Sequence, residues 1–206
     1  MLLASMEIGK LIITCFLLLL AYGLGSISGA SISCRLFSLP DPRKTGSKNP
    51  GTTNVYRLGG IFPASITLVI DTAKGAAPVY LAIYFELAAL TQGLVALTAI
   101  SGHLYPLYYQ FRGGKGVATA LGAGVILSPL TALFVTTCWV AIAQRVKISS
   151  VASLSAAIVA PFAAYCLDRE YTLIYSALSI VIIYRHKDNI IGLFTGNEKR
   201  LDKPDL

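Results

Sequence analysis

The sequence predicts an all-α fold, a polytopic integral membrane bundle built as one domain over residues 1–206. Three observations predict it. Only 13% of the residues are charged while 55% are hydrophobic, and the mean hydropathy is +0.68. A soluble domain averages about 25% charged residues, and half that charge cannot cover a surface that faces water. Apolar stretches near the length of a membrane crossing recur along the chain. The basic residues between them fall in alternate loops, the pattern of a chain threaded through a bilayer.

The elements follow in order. Leu11–Leu20 is a continuous apolar run that continues through the Gly/Ser-rich stretch Gly23–Ser31 to about Cys34. A signal peptide is the alternative, but the apolar part is too long and no small-residue cleavage site is clear. Small residues recurring along a helix allow close helix packing in membranes, so one retained first helix is expected. Further apolar stretches lie at about Ile61–Phe85, Gly93–Tyr109, Val117–Ala143, Ile148–Leu167 and Tyr171–Tyr184.

Charge sets the number of crossings. Arg35, Arg43, Lys44, Lys48 and Arg57 place the first loop in the cytoplasm. The second span then ends outside near Glu86, and the third returns Arg112 and Lys115 to the inside. If Val117–Ala143 were one span, Arg145 and Lys147 would lie outside; two legs turning at Ser128-Pro129 keep them inside. The last two spans put Asp168, Arg169 and Glu170 outside and the basic tail from Arg185 inside. The expectation is seven crossings, some of them short or broken, with the N-terminus outside and the C-terminus inside. A leg as short as Val117–Leu127 is tolerated only where it is buried in protein or lines a cavity.

The net charge of +7 is spread over short loops. That distribution argues against nucleic acid and for an anionic membrane surface or an anionic ligand. Cys15, Cys34, Cys138 and Cys166 stand singly in or beside apolar runs, with no metal or redox spacing. Neither a metal nor another cofactor is expected.

Chemistry concentrates in four polar segments. In Asp41–Arg57, Gly46 and Gly51 allow backbone N–H groups to converge, and Ser47, Asn49, Thr52, Thr53 and Asn54 add short donors. Thr53 or Asn54 can cap the helix that follows, with Arg57 on the same face as Asn54. A solvated loop ending in a cap is the plainer alternative. In Asp71–Gly75, Asp71 and Lys74 are placed to pair inside an apolar stretch, as a functional site, a structural ion pair or an interfacial anchor. In the third segment, His103 and Pro106 precede Gly113, Gly114, Lys115 and Gly116 at the start of a helix. Free N–H groups, a positive dipole end and an ammonium make a phosphate cradle, though not a Walker loop. His103 alone reads more readily as a hydrogen-bonded structural residue. The fourth segment is Tyr184–Asn189, for which an ordinary basic stop is the alternative.

Taken together the segments resemble one family, the bacterial acyl-phosphate:glycerol-3-phosphate acyltransferases (the PlsY family). The likeness rests on Gly46, Ser47, Asn49, Gly51, Thr53, Asn54 and Arg57, then Asp71, Lys74 and Gly75. It continues with Gly102, His103, Pro106 and Gly113–Thr119, and ends on Tyr184, Arg185, His186 and Asn189. It covers nearly the whole chain. Lys48 departs from it, standing where that family often has glycine.

The resemblance implies transfer of an acyl group from acyl phosphate to the 1-hydroxyl of sn-glycerol 3-phosphate, giving lysophosphatidic acid and phosphate in phospholipid synthesis. It implies a multi-pass protein of the bacterial inner membrane whose site faces the cytoplasm, and a soluble enzyme that makes the donor as a partner. By the same likeness Ser47, Arg57, Lys115 and Asn189 hold glycerol 3-phosphate. Asn49, Thr53, Asn54, Lys74 and His103 orient the donor phosphate and the reacting carbonyl, or support residues that do. Gly46, Gly51, Gly113, Gly114, Gly116, Thr119, Arg185 and His186 complete the binding set.

No nucleophile–base pair is evident: five residues after His103 stands Tyr108, after His186 Ile191, and no Gly-x-Ser-x-Gly elbow occurs. Direct transfer without an acyl-enzyme is therefore expected. A small transporter of an organic phosphate is the alternative function, since broken helices aimed at an anion also serve transport.

Overall fold

The structure, a computed structural model, describes residues 2–201, with side chains from residue 6 onward. Residue 1 and residues 202–206 of the expected single domain lie outside the described residues. Within them the chain is helical, with no strand.

The first apolar run forms α1 (Leu2–Gly25) and α2 (Gly29–Leu36) instead of one continuous helix. Serines make the break. Ser26 Oγ donates to the Tyr22 carbonyl at 2.8 Å and accepts from the Leu107 N–H at 3.1 Å. Ser28 is the N-cap of α2, its Oγ accepting from Ser31 N at 3.2 Å. Serine competes with the helical backbone for its own hydrogen bonds, which outweighs its value as a small packing residue at this point. Together Met6–Leu36 is long and apolar enough to cross a membrane.

A loop leads to α3 (Thr52–Gly59), which Gly60 separates from α4 (Ile61–Tyr84). Gly51 occupies the N-cap of α3 and no side chain bonds there, so neither Thr53 nor Asn54 is the cap. Then comes α5 (Ala89–Leu104), which stops before Pro106; the expected stretch to Tyr109 is shifted toward the N-terminus because proline cannot continue the helix.

The break at Ser128-Pro129 is present, between α6 (Val117–Leu127) and α7 (Pro129–Val146). Ser128 Oγ donates to Thr131 Oγ1 at 2.8 Å, and Pro129 opens α7, where its missing N–H is no loss. The second leg is not short: its 18 residues run past Ala143 to Val146. The remaining helices are α8 (Ser149–Leu167), α9 (Thr172–Arg185) and α10 (Lys187–Phe194).

The core is rich in alanine and glycine. Leu17, Ala21, Val79, Val95, Ala99 and Ala123 are fully buried. At two contacts helices meet backbone to backbone. A Cβ on Gly75 of α4 would collide with the Thr119 carbonyl of α6, and one on Gly122 of α6 with the Thr72 carbonyl of α4. Gly25 and Gly102 do the same between α1 and α5. Such contacts replace the hydrophobic driving force that lipid removes. Large apolar side chains such as Leu19, Phe62, Leu133, Phe162 and Ile180 face outward, which suits lipid and not water. Besides Met6–Leu36, α4, α7 and α8 are each long and apolar enough to cross a bilayer.

The two ends of the bundle differ. At one, the Tyr171 hydroxyl donates to Gln92 Oε1 at 2.8 Å, and Gln92 Nε2 donates to the Leu87 carbonyl at 2.6 Å. At the other, the basic loops and the tail interlock. Thr53 Oγ1 lies 3.0 Å from Ser149 Oγ, Arg185 donates to the Gly114 carbonyl at 3.1 Å, and Leu201 N donates to the Lys147 carbonyl at 2.6 Å.

Candidate active site

The loop before α3 is held by Asn54. Its Oδ1 accepts from Ser47 N at 2.9 Å, and its Nδ2 donates to the carbonyls of Pro42 at 2.9 Å and Thr45 at 3.1 Å. The side chain is buried and already engaged with loop backbone, so Asn54 shapes the loop from inside the helix. Asp41 braces the loop's start through Arg43 at 3.0 and 3.1 Å, a contact that holds the Asp41 carboxyl below its usual range. Lys48 takes a left-handed conformation with φ 57°, which accounts for glycine being at home in that position. Ser47, Asn49, Gly46, Gly51 and Thr53 face the cavity below.

The glycine run is fixed against His103. Gly114 N donates to the His103 carbonyl at 3.1 Å, and a Cβ on Gly113 or Gly114 would strike the His103 backbone or ring. Gly116, at φ +83°, turns the chain into α6. Between them Lys115 points at the start of α10, where its Nζ donates to Asn189 Oδ1. Burial pushes the Lys115 ammonium below its usual pKa, opposed first by the nearby Glu198 carboxylate. Arg185 lies over the Tyr105 ring at 5.3 Å while its guanidinium reaches Gly114. His186, just past α9, is buried with Nδ1 donating to the Ile182 carbonyl at 2.8 Å; burial lowers its pKa to about 4, so it is neutral near pH 7.

These groups form the polar mouth of a cavity of about 1170 Å³. Arg57, His103, Lys115, Arg185, His186 and Asn189 border it, with Gly113 and Gly116. Deeper, the wall becomes apolar, with Leu121, Val135, Trp139, Ala157, Ala160 and Leu178 from α6 to α9. An anionic headgroup at the mouth and a hydrocarbon chain below would both be accommodated.

Three of the sequence-derived residues lie elsewhere. Gly114 and Thr119 sit behind the cavity wall, as contact points for His103 and for Gly75. Lys74 is sealed: its ammonium is 2.8 Å from Asp71 Oδ1 and donates to the Ile27 carbonyl, while the same Oδ1 accepts from Gly29 N at 3.2 Å. The pair bridges the break between α1 and α2. His103 Nδ1 stands 3.9 Å from that oxygen.

The sequence reading missed Ser149, Ser150 and Glu198. Glu198 Oε1 accepts from Ser150 Oγ at 2.6 Å and from Asn189 Nδ2 at 2.7 Å. The serines were findable, being a hydroxyl pair where an apolar stretch begins after basic residues. Nothing in the sequence singles out Glu198.

Comparison with known proteins decides the class. The family model described as Glycerol-3-phosphate acyltransferase matches residues 15–196. The chain belongs to the glycerol-3-phosphate acyltransferase family. A relative of that name from Hahella chejuensis is 50% identical over 182 residues, covering 88% of this chain and 94% of its own. One from Idiomarina loihiensis is 46% identical over 187 residues, covering 91% and 95%. The crystal structure of PlsY (YgiH), an integral membrane glycerol 3-phosphate acyltransferase in its glycerol 3-phosphate form, superposes with a TM-score of 0.85 at 35% identity, covering 91% of this chain and 94% of that one. Its lysophosphatidic acid form gives 0.82 at 34% identity, with the same coverage. The protein is thus an integral membrane acyltransferase, and the transporter alternative falls away. Among the described residues, no serine or threonine of the cavity is hydrogen-bonded to a histidine.

Proposed function

We propose that this acyltransferase moves an acyl group from an acyl phosphate to the 1-hydroxyl of sn-glycerol 3-phosphate, releasing lysophosphatidic acid and phosphate. The observation that carries the reading is the ring of donors, Ser47, Arg57, Lys115 and Asn189, at the polar mouth of a cavity whose deeper wall is apolar. Both substrates are anions at one end, and the donor and product are hydrocarbon at the other.

In this reading Ser47, Arg57, Lys115 and Asn189 hold the acceptor phosphate, with Arg185, His186 and the glycines Gly46, Gly51, Gly113 and Gly116 shaping the rim. Charge-assisted bonds from Arg and Lys are the strong ones for such an anion. Asn49, Thr53 and His103 face the reacting carbonyl and donor phosphate. Asn54, Lys74, Gly114 and Thr119 support them from behind. The acceptor oxygen attacks the carbonyl carbon, the bond from that carbon to the phosphate oxygen breaks, and the hydroxyl proton passes to the departing phosphate. No acyl-enzyme is needed, because the mixed anhydride already carries a good leaving group; positioning and fixed donors supply the acceleration.

The reading extends to topology: seven crossings, N-terminus outside, and the site open to the cytoplasm at a bacterial inner membrane. Support comes from the helix break at Ser128, without which Arg145 and Lys147 would lie opposite the other basic loops. A soluble donor-making enzyme would deliver to that same face.

The test uses detergent-purified protein with palmitoyl phosphate and glycerol 3-phosphate, followed for phosphate release, with acyl-CoA in a parallel run. Phosphate release with lysophosphatidic acid formation is expected with acyl phosphate and none with acyl-CoA. Turnover of acyl-CoA alone, or a covalent acyl adduct on any Ser or Cys, would overturn the donor or the direct mechanism respectively.

A further inference from the structure

The segment after α10 lies across the mouth of the cavity. Gly196, at φ +72°, reverses the chain, and Asn197 N donates to the Gly192 carbonyl at 2.8 Å. Glu198 then sets its carboxylate against Asn189 and Ser150, beside Lys115. Lys199 Nζ donates to the Gly46 carbonyl at 3.3 Å. The Arg57 guanidinium donates to the carbonyls of Lys199 at 3.2 Å and Arg200 at 3.3 Å. Leu201 closes the segment onto Lys147. Of this segment, residues 197–201 lie beyond residue 196, where the family match ends.

A carboxylate and a phosphate oxygen accept from the same donors in the same way. With the tail seated, the Asn189 amide donates to Glu198, leaving its oxygen to face Lys115, and the Arg57 fork is held by tail carbonyls. These are the groups an incoming anion would need.

We propose that Glu198–Leu201 is an internal competitor for the acceptor's phosphate, with the Glu198 carboxylate standing where that anion binds. The inference rests on the assignment of Arg57, Lys115 and Asn189 to glycerol 3-phosphate. Lys199 and Arg200 are exposed, so water screens the tail's contacts, and the tail is displaced by substrate and sets the apparent affinity instead of blocking the enzyme outright. When the binding-competent state is only a fraction of the population, the apparent dissociation constant rises by the inverse of that fraction.

Equilibrium binding of glycerol 3-phosphate to purified protein, with no acyl donor present, tests this on the full chain, on Glu198→Gln and on a chain ending at Gly196. The expected result is tighter binding, by about fivefold in Glu198→Gln and at least as much in the shortened chain. The KM for glycerol 3-phosphate falls in step while that for the donor stays fixed. Affinity that is unchanged or weaker in both variants makes the tail a supporting wall and overturns the proposal, with the acceptor assignment intact. If none of the three proteins binds glycerol 3-phosphate, the acceptor assignment fails and this inference with it.

Discussion

Lys74 and Lys115 are both withdrawn from water in a protein with few charges, yet their surroundings differ in kind. Lys74 is enclosed by groups that cannot leave: the Asp71 carboxylate on its own helix and the Ile27 carbonyl at the break between α1 and α2. Lys115 borders the cavity, and its partners are Asn189 at the start of α10 and, through Asn189, a tail segment. An ammonium whose neighbours are fixed stabilises architecture. One whose neighbours can be exchanged is available to a ligand. Withdrawing a charge from water is costly in both cases, so cost alone does not separate the two.

The comparison can be broken from either side. The largest effect is expected from Lys74→Ala, which strands the Asp71 carboxylate in the bundle and destabilises it by about 3–5 kcal/mol. Thermal unfolding in detergent measures this, and Asp71→Asn combined with Lys74→Met should recover much of the loss. A Lys74→Ala protein that unfolds normally but no longer turns over would move Lys74 into the chemistry. Next comes Lys115→Ala, expected to cut turnover by roughly two to three orders of magnitude, the scale of one lost donor to developing charge. Its unfolding should change little, and near-normal turnover would remove Lys115 from the site. The smallest effect sharpens the picture of the loop between these regions. Lys48→Gly relieves a left-handed residue at some cost in chain entropy, so a gain of about 0.5–1 kcal/mol in unfolding free energy is expected. A loss would mean that the lysine side chain itself holds the loop.

Much of the fold was legible because lipid imposes coarse rules. Length and apolarity located α4, α8 and α9 nearly to the residue, and the balance of basic loops called for a break at Ser128. What escaped depended on local hydrogen bonding. Ser26 and Ser28 read as small packing residues, and only their bonds to Tyr22, Leu107 and Ser31 reveal the break before α2. Asn54 read as a cap because it stands near a helix start; its true partners are carbonyls nine and twelve residues back in the loop. In the site, the motifs named most residues at the mouth. Glu198 was hidden because its neighbours are brought together by folding and lie far from it in sequence, apart from Asn189.

The cavity with a polar mouth and apolar depth has one more consequence, for how its kinetics must be described. A ligand that enters by the mouth is counted per litre of water, whereas one whose chain rests against Leu121, Val135 and Trp139 is counted per area of bilayer. A single bulk concentration axis mixes the two. Diluting the membrane with inert lipid at constant total volume should mimic competitive inhibition toward the hydrocarbon substrate while leaving the water-borne one untouched.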